Sequence, residues 1–416
     1  MPSVIPKPVA VALKKTTTRL ALAFAALQAT VIAGLVVFDA LKRLQRTKRS
    51  GFPRPGTFDA RVADSDAKIY TYGEDLYADM IAAIDGAEEQ VLLETYIWKS
   101  DATGRRFKEA LNAAARRGVD VFVIYDGFAN LVVPPSFYDF DPDIHVYRFP
   151  VVRPSRLFTP LRSTGLDHRK LLVVDGQTGF AGGYNIGDLY ATEWRDTHLR
   201  VQGPATWELR QAFLDVWNTA YGRPEIPYQR PRTWDPHLRA ANNMPSHLVY
   251  PIRGLYLDAI NRASDHIYIT TAYFIPDRQI LQSLLAASRR GVDVRLIVPE
   301  DSNHVLADWL ARGFFTAMLK EGITVLLYRD AMIHAKTATI DGQWSTIGTA
   351  NIDRLSLTGN YETNLEIHSE DIATRMREIF DVDSGNCRQL TLAEWKRQNP
   401  AAKFSELVLI PLRPFL

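Results

Sequence analysis

Apolar and polar positions along this chain fall into blocks that recur. Residues 91–98 (Val91-Leu92-Leu93-Glu94-Thr95-Tyr96-Ile97-Trp98) form an apolar run of strand length. A helix-forming stretch follows and ends with Arg116 and Arg117 in its last turn and Gly118 at the position where a left-handed residue stops a helix. A β-branched run, 121–124, comes next. The same order returns after a shift of 173: an apolar run at 266–274, a helical run that stops at Gly291, and a β-branched run at 294–298. In register, Leu111-Asn112-Ala113-Ala114-Ala115-Arg116-Arg117-Gly118-Val119-Asp120-Val121 repeats as Leu284-Leu285-Ala286-Ala287-Ser288-Arg289-Arg290-Gly291-Val292-Asp293-Val294. Strand–helix–strand units in series predict an α/β fold with a largely parallel sheet and helices on its faces. We therefore expect two pseudo-symmetric α/β halves, 52–235 and 236–385, packed as one bilobal body. The join near 222–246, rich in Pro, Arg and Asn, reads as a linker.

The ends of the chain follow a different pattern. Residues 20–38 carry no formal charge, and a helix of that length spans the roughly 30 Å hydrocarbon core of a bilayer. The expectation is a single N-terminal transmembrane helix within a basic segment, 1–51. A cleaved signal peptide competes, with Val31-Ile32-Ala33 as a small-residue site, but the apolar run continues through Val36, Val37 and Phe38, which favours a retained anchor. Bases flank both ends, so the positive-inside rule assigns no orientation. Residues 50–60, with Gly51, Pro53, Pro55 and Gly56, read as a linker into the body. Residues 128–165 form a long Pro-rich stretch with Phe149, Arg153, Arg156, Leu157, Phe158 and Arg162, read either as a solvated loop or as a lip that meets lipid head groups. The tail, 386–416, ends in an apolar, Pro-interrupted run that either docks on the core or touches a membrane interface.

Composition adds exclusions. With 46% hydrophobic and 23% charged residues, the chain is globular rather than disordered or fibrous. A single cysteine, Cys387, rules out an internal disulfide and a cysteine cluster for zinc or iron–sulfur. The net charge of +2 is uneven: residues 1–51 hold nine bases and one acid, leaving 40 bases against 46 acids in the rest. A body that tracks a nucleic-acid backbone carries the opposite balance, so no nucleic-acid partner is expected.

The reactive side chains lie in a second repeated block. Counting from His168, a Lys stands at +2 (Lys170), an Asp at +7 (Asp175), a Gly at +14 (Gly182), an Asn at +17 (Asn185) and a carboxylate at +28 (Asp196). From His334 the same offsets give Lys336, Asp341, Gly348, Asn351 and Glu362. On a strand, i and i+2 share a face, so each His and Lys point to one site. The +7 Asp, at a strand end before Gly176 or Gly342, faces the other way and reads as structural. Two His, two Lys and two Asn converging about a pseudo-twofold axis describe an anion site with an acid/base pair. One imidazole attacks phosphorus and the other protonates the leaving oxygen, while Lys170, Lys336, Asn185 and Asn351 bind the phosphate oxygens. Asp196 and Glu362 hold the imidazoles by their other ring nitrogen. No cluster has metal-ligand spacing, so no metal and no other cofactor is expected. Tyr96 and Tyr273, at equivalent strand ends, are candidates to line the cleft. The other seven histidines, such as His198 and His304, lack this context and read as ordinary.

The paired His-x-Lys-x(4)-Asp motifs with their trailing Gly and Asn resemble the signature of the phospholipase D superfamily over about residues 60–370. Leu93-Glu94-Thr95-Tyr96-Ile97-Trp98, Gly182-Gly183-Tyr184-Asn185-Ile186 and the run from Asn351-Ile352-Asp353-Arg354 to Asn360-Tyr361-Glu362 are similar to the bacterial cardiolipin synthase branch. The resemblance implies two phospholipase D-like halves with one metal-free active site between them, and His168, Lys170, Asp175, His334, Lys336 and Asp341 as the catalytic motif residues. It implies a ping-pong transfer in which His168 attacks phosphatidylglycerol and His334 protonates departing glycerol, then deprotonates a second phosphatidylglycerol to give cardiolipin. It also implies a phospholipid substrate and a place in the bacterial inner membrane, with the side and the oligomeric state open. The departures are Thr349 where Gly183 stands in the first half, Asp196 where the second half has Glu362, and Gly359 in place of a Leu. The alternatives are a phospholipase D releasing phosphatidic acid, a membrane-anchored nuclease, and a silent lipid-binding scaffold, against which both complete motifs argue.

Overall fold

A computed structural model of the chain describes residues 7–44, 51–151, 165–220, 222–228, 237–397 and 399–415. Arg153, Arg156, Leu157, Phe158 and Arg162 of the long Pro-rich stretch lie outside the described residues, as do 229–236 of the expected linker and the bases Arg46, Lys48 and Arg49. Two eight-stranded sheets make up the body. The first runs, in spatial order, Thr57–Val62, Ser65–Tyr70, His198–Gln202, Thr178–Gly182, Leu171–Val174, Gln90–Thr95, Asp120–Asp126 and His145–Phe149. The second runs Leu238–Asn243, Glu362–His368, Trp344–Gly348, Thr337–Ile340, His266–Thr270, Asp293–Pro299, Thr324–Tyr328 and Cys387–Leu390. The repeat is visible in this order, with Thr57–Val62 and Cys387–Leu390 as the additions. Because Cys387–Leu390 pairs with Thr324–Tyr328, the second half continues past 385 before the tail begins.

The sheets are mixed, not largely parallel. Only Gln90–Thr95, Asp120–Asp126 and His145–Phe149, and their counterparts in the second half, run parallel. The strand after each motif histidine turns back as a hairpin, and the cause is local. Asp175-Gly176 (φ 51° and 62°) and Asp341-Gly342 (φ 52° and 65°) are left-handed pairs, the geometry of a two-residue turn that matches strand twist. Gln177 N–H donates to the Val174 carbonyl at 3.0 Å and Gln343 N–H to that of Ile340 at 3.2 Å, closing both turns.

Helices Thr206–Trp217 and Glu370–Gly385 lie between the sheets. Their Leu209, Phe213, Ile372 and Met376 share one core with Leu92 and Val173 of the first sheet and Leu365 and Ile367 of the second. That shared core joins the halves into one body. Gly73–Asp85 and Ala102–Arg116 cover the outer face of the first sheet, and Pro251–Arg262, Arg278–Arg289 and Val305–Lys320 that of the second. Leu92 faces inward while Val91 and Leu93 face the outer helices, which is why such doubly covered strands read as unbroken apolar runs. The repeated helices start on Asp101 and Asp277, whose carboxylates cap free N–H groups. They stop at Gly118 and Gly291 with φ of 91° and 93°.

Before the body comes one helix, Lys7–Leu44. Its Lys14–Leu41 portion, 28 residues that include an 18-residue stretch of mean hydropathy 2.3, is long and apolar enough to cross a membrane, which fits membrane association.

Candidate active site

The stretches that lead into the two motif histidines each meet a segment of the opposite half at the seam. Met332–Ile333 pairs in parallel with Trp194–Arg195, and His334 N–H donates to the Arg195 carbonyl at 2.6 Å. In the same way Asp167 bridges Tyr361, and His168 N–H donates to the Tyr361 carbonyl at 3.0 Å. Each histidine is thereby seated beside the segment that carries the other half's carboxylate. His168 Nδ1 lies 2.9 Å from Glu362 Oε2, and His334 Nδ1 lies 2.6 Å from Asp196 Oδ2. Counting along the sequence shows the carboxylates but not this exchange of partners.

Lys170 Nζ donates to the His168 carbonyl at 2.7 Å, and Lys336 Nζ to that of His334. Tyr96 stands edge-on to the His168 ring at 4.6 Å, with Lys170 Nζ 5.2 Å from its own ring centre. Tyr273 does not take the matching place. Its hydroxyl donates to Asn303 at 2.6 Å and its ring meets His304. The ring against His334, at 5.0 Å, is Trp194 of the first half, a residue sequence reasoning missed because nothing in its spacing marks it.

The asparagines are fixed by their carbonyl ends. Asn185 Oδ1 accepts from Ile97 N–H at 3.2 Å, and Asn351 Oδ1 from the Thr271 hydroxyl at 3.5 Å. Among the described residues neither side-chain NH₂ donates to protein, which leaves both donors for a bound anion. A Cβ at Gly183 would collide with the Asp196 carboxylate. In the second half, Thr349 instead donates its hydroxyl to Glu362 Oε2 at 2.5 Å. The Gly/Thr and Asp/Glu departures therefore belong together.

Asp175 and Asp341 lie outside this cleft, at the far ends of the hairpin strands. Asp175 accepts from Glu88, Glu89 and Gln90 N–H at 2.8–3.0 Å, and Asp341 from Ser264, Asp265 and His266 N–H at 2.8–3.0 Å. Seven positions separate each from its histidine, four of them strand residues at about 3.3 Å each. Their hydrogen bonds pin the entry to the central strand.

Two buried arginines brace the site. Arg169, between His168 and Lys170, makes a forked pair with Glu94 at 2.7–3.0 Å and donates to the Ala212 carbonyl. Arg195 grips Asp383 of the helix Glu370–Gly385 and the carbonyl of Asp196, tying that carboxylate's backbone to the second half. Beside Tyr96, the buried Asn130 accepts from Trp98 N–H and donates to the Tyr96 and Asp126 carbonyls at 2.7–2.8 Å. It holds a loop from which Phe128, Leu131 and Val132 project into solvent.

Burial dominates the electrostatics of the site. Burial, with Lys170 and Lys336 close by, holds the His168 imidazole well below its usual value, and burial and Lys336 push His334 down to about 3. Burial also lowers Lys170 to about 8 and Lys336 to about 7. Glu362 is pushed up to about 8 by burial against the pull of Lys170, whereas at Asp196 the same burial is outweighed by Lys336 and His334, which keep it below the usual carboxylate range. Near neutral pH the His334–Asp196 pair thus carries one proton fewer than the His168–Glu362 pair. Among the described residues no three His, Cys, Asp or Glu converge as metal ligands.

The family model described as "Cardiolipin synthase, PLD-like domain" matches residues 80–217 and again 256–384. A cardiolipin synthase of Clostridium perfringens is 30% identical over 85% of this chain and 77% of its own length. One of Staphylococcus aureus is 33% identical over 85% of this chain and 74% of its own. Among solved structures, phosphatidylserine synthase of Haemophilus influenzae superposes with a TM-score of 0.67 at 13% identity, over 86% of this chain and 94% of the other, a likeness of fold. With both halves matched and relatives aligned along most of its length, the chain belongs to the phospholipase D superfamily, in its cardiolipin synthase branch.

Proposed function

We propose that this protein is a phosphatidyltransferase that joins two phosphatidylglycerol molecules into cardiolipin and releases glycerol. The observation that carries the mechanism is the pair of imidazoles, each bound at Nδ1 by a carboxylate of the opposite half, above two buried lysines. With Nδ1 engaged, Nε2 is the atom that reacts. His168 attacks phosphorus, and the bond to the glycerol oxygen breaks as His334 gives that oxygen its proton. His334 then takes the hydroxyl proton of a second phosphatidylglycerol, whose oxygen displaces His168 from phosphorus and restores both residues. Lys170, Lys336 and the NH₂ groups of Asn185 and Asn351 hold the non-bridging oxygens, where charge builds in the transition state. The bound phosphodiester anion raises the depressed values of Lys170, Lys336 and His334, which gives His334 the proton it delivers, while His168 attacks as the neutral imidazole.

We place the protein in the bacterial cell membrane, held by the Lys14–Leu41 helix. The test is detergent-solubilised protein with phosphatidylglycerol, run with a chelator and with His168→Ala, and products separated by mass. Cardiolipin plus glycerol, insensitive to chelator and absent in the variant, supports the reading. Phosphatidic acid alone makes the protein a hydrolase instead.

A further inference from the structure

The tail folds as a helix, Pro400–Leu409, followed by the 3-10 segment Ile410–Phe415. One side is fitted to the body. Val408 and Leu409 are buried, Glu406 pairs with Arg312 at 3.0 Å, and the Arg413 guanidinium lies over Phe314 at 4.3 Å in space left open by Gly313. The other side is not what a water-facing helix carries. Phe404, Leu407 and Ile410 are 52%, 64% and 41% exposed, a run of large apolar groups at i, i+3 and i+6.

A hydrogen bond sets the depth of this surface. Gln28 Nε2 donates to the Val408 carbonyl at 3.0 Å. Pro411, three residues beyond Val408, has no N–H to offer that carbonyl. Gln28 lies one residue from the middle of the uncharged run 20–38, and a side-chain amide at that depth needs a protein partner. Val31, Ile32 and Leu35 on the same face pack against the body. Leu20, Leu22, Phe24 and Phe38 of the same helix are exposed, as are the tail's apolar residues. If residues 20–38 occupy the hydrocarbon, Val408 shares the depth of its centre.

We propose that residues 400–415 are a second membrane-embedded element, whose Phe404, Leu407 and Ile410 contact acyl chains beside the N-terminal helix. The protein then grips the bilayer with a helix and a re-entrant tail rather than by a free-standing anchor. The inference rests on the reading of Lys14–Leu41 as the membrane helix, and the test separates the two.

In full-length protein carrying Cys387→Ser, single Phe404→Cys, Leu407→Cys, Ile410→Cys, Phe24→Cys and Val382→Cys variants are labelled with an environment-sensitive fluorophore. They are reconstituted into phosphatidylglycerol/phosphatidylcholine vesicles. Quenching by lipids brominated midway along their chains is compared with quenching by aqueous iodide. The expected result is that the three tail positions follow Phe24→Cys, quenched by brominated lipid and shielded from iodide, whereas Val382→Cys on the helix Glu370–Gly385 does the reverse. Tail labels quenched by iodide like Val382→Cys overturn the proposal. Protection from both quenchers also overturns it and assigns the face to a second copy of the chain. Failure of Phe24→Cys to meet brominated lipid overturns the anchor reading and this inference with it. If one tail variant does not fold, the other two carry the readout.

Discussion

Glu362 Oε2 lies 2.9 Å from Nδ1 of His168, a residue 194 positions earlier and in the other half of the molecule. Asp196 returns the contact to His334 across 138 positions. Neither motif histidine takes its carboxylate from its own half, so the two copies of the repeat complete each other at one place. In the proposed mechanism these carboxylates orient the rings and do not touch phosphorus. Glu362→Gln and Asp196→Asn are therefore expected to lower turnover, on the order of 10²-fold or more, while phosphoprotein trapped on phosphatidylglycerol stays detectable by mass. Wild-type rates in both variants would remove the orienting role.

The proton inventory makes the roles readable by pH. Burial raises Glu362 to about 8, so the His168–Glu362 pair sheds its extra proton as pH rises through that value. Attack by His168 needs the pair without that proton. Single-turnover phosphoenzyme formation at saturating lipid is expected to rise between about pH 7 and 9 in the wild type and to lose that rise in Glu362→Gln. A fall over the same range in the wild type, with phosphohistidine mapped to 334, would exchange the two roles.

Asp175 and Asp341 act on the fold. Each carboxylate takes up three backbone N–H groups at the start of a central strand. Replacing either by Ala strands those donors and is expected to cost about 1–3 kcal/mol of stability, seen as a lower melting temperature in detergent. The rate per active site, counted by trapped phosphoenzyme, should stay near that of the wild type. A large loss in that rate at full occupancy would return these residues to the chemistry.

Arg169 and Glu94 form a buried pair with no solvent to share their charge. Removing one partner from such a pair costs about 3–5 kcal/mol, whereas replacing both by apolar groups is far milder. Arg169→Met should therefore melt well below the wild type, and Arg169→Met with Glu94→Leu should recover part of the loss. Equal melting temperatures in the single and double variants would show the pair to be uncoupled.

Leu131 and Val132, 59% and 81% exposed, project from the loop that Asn130 fixes beside Tyr96. They belong to the stretch 128–165, read as a solvated loop or a lipid-facing lip, of which Phe149 is buried at the end of a strand. Leu131→Glu with Val132→Glu is expected to slow turnover on phosphatidylglycerol vesicles yet leave the rate on mixed detergent micelles unchanged. Equal losses in both would make the loop part of the cleft's packing.

Much of this was legible before any coordinates. The duplication, the two α/β halves, the offsets of His, Lys, Asn and carboxylate, and the apolar N-terminal run all rest on local periodicity and on a repeat, which are properties of the chain order. Even the hairpins were written in Asp175-Gly176 and Asp341-Gly342, although the strand–helix–strand order drew attention to parallel pairing instead. Only the tertiary structure decided which carboxylate serves which histidine, that Trp194 rather than Tyr273 faces His334, and that Gln28 meets Val408. These contacts join positions more than a hundred residues apart in the chain. The contacts of the two histidines depend on how two sheets dock through the shared inner core, and a spacing rule within either half carries no information about the distance across the seam.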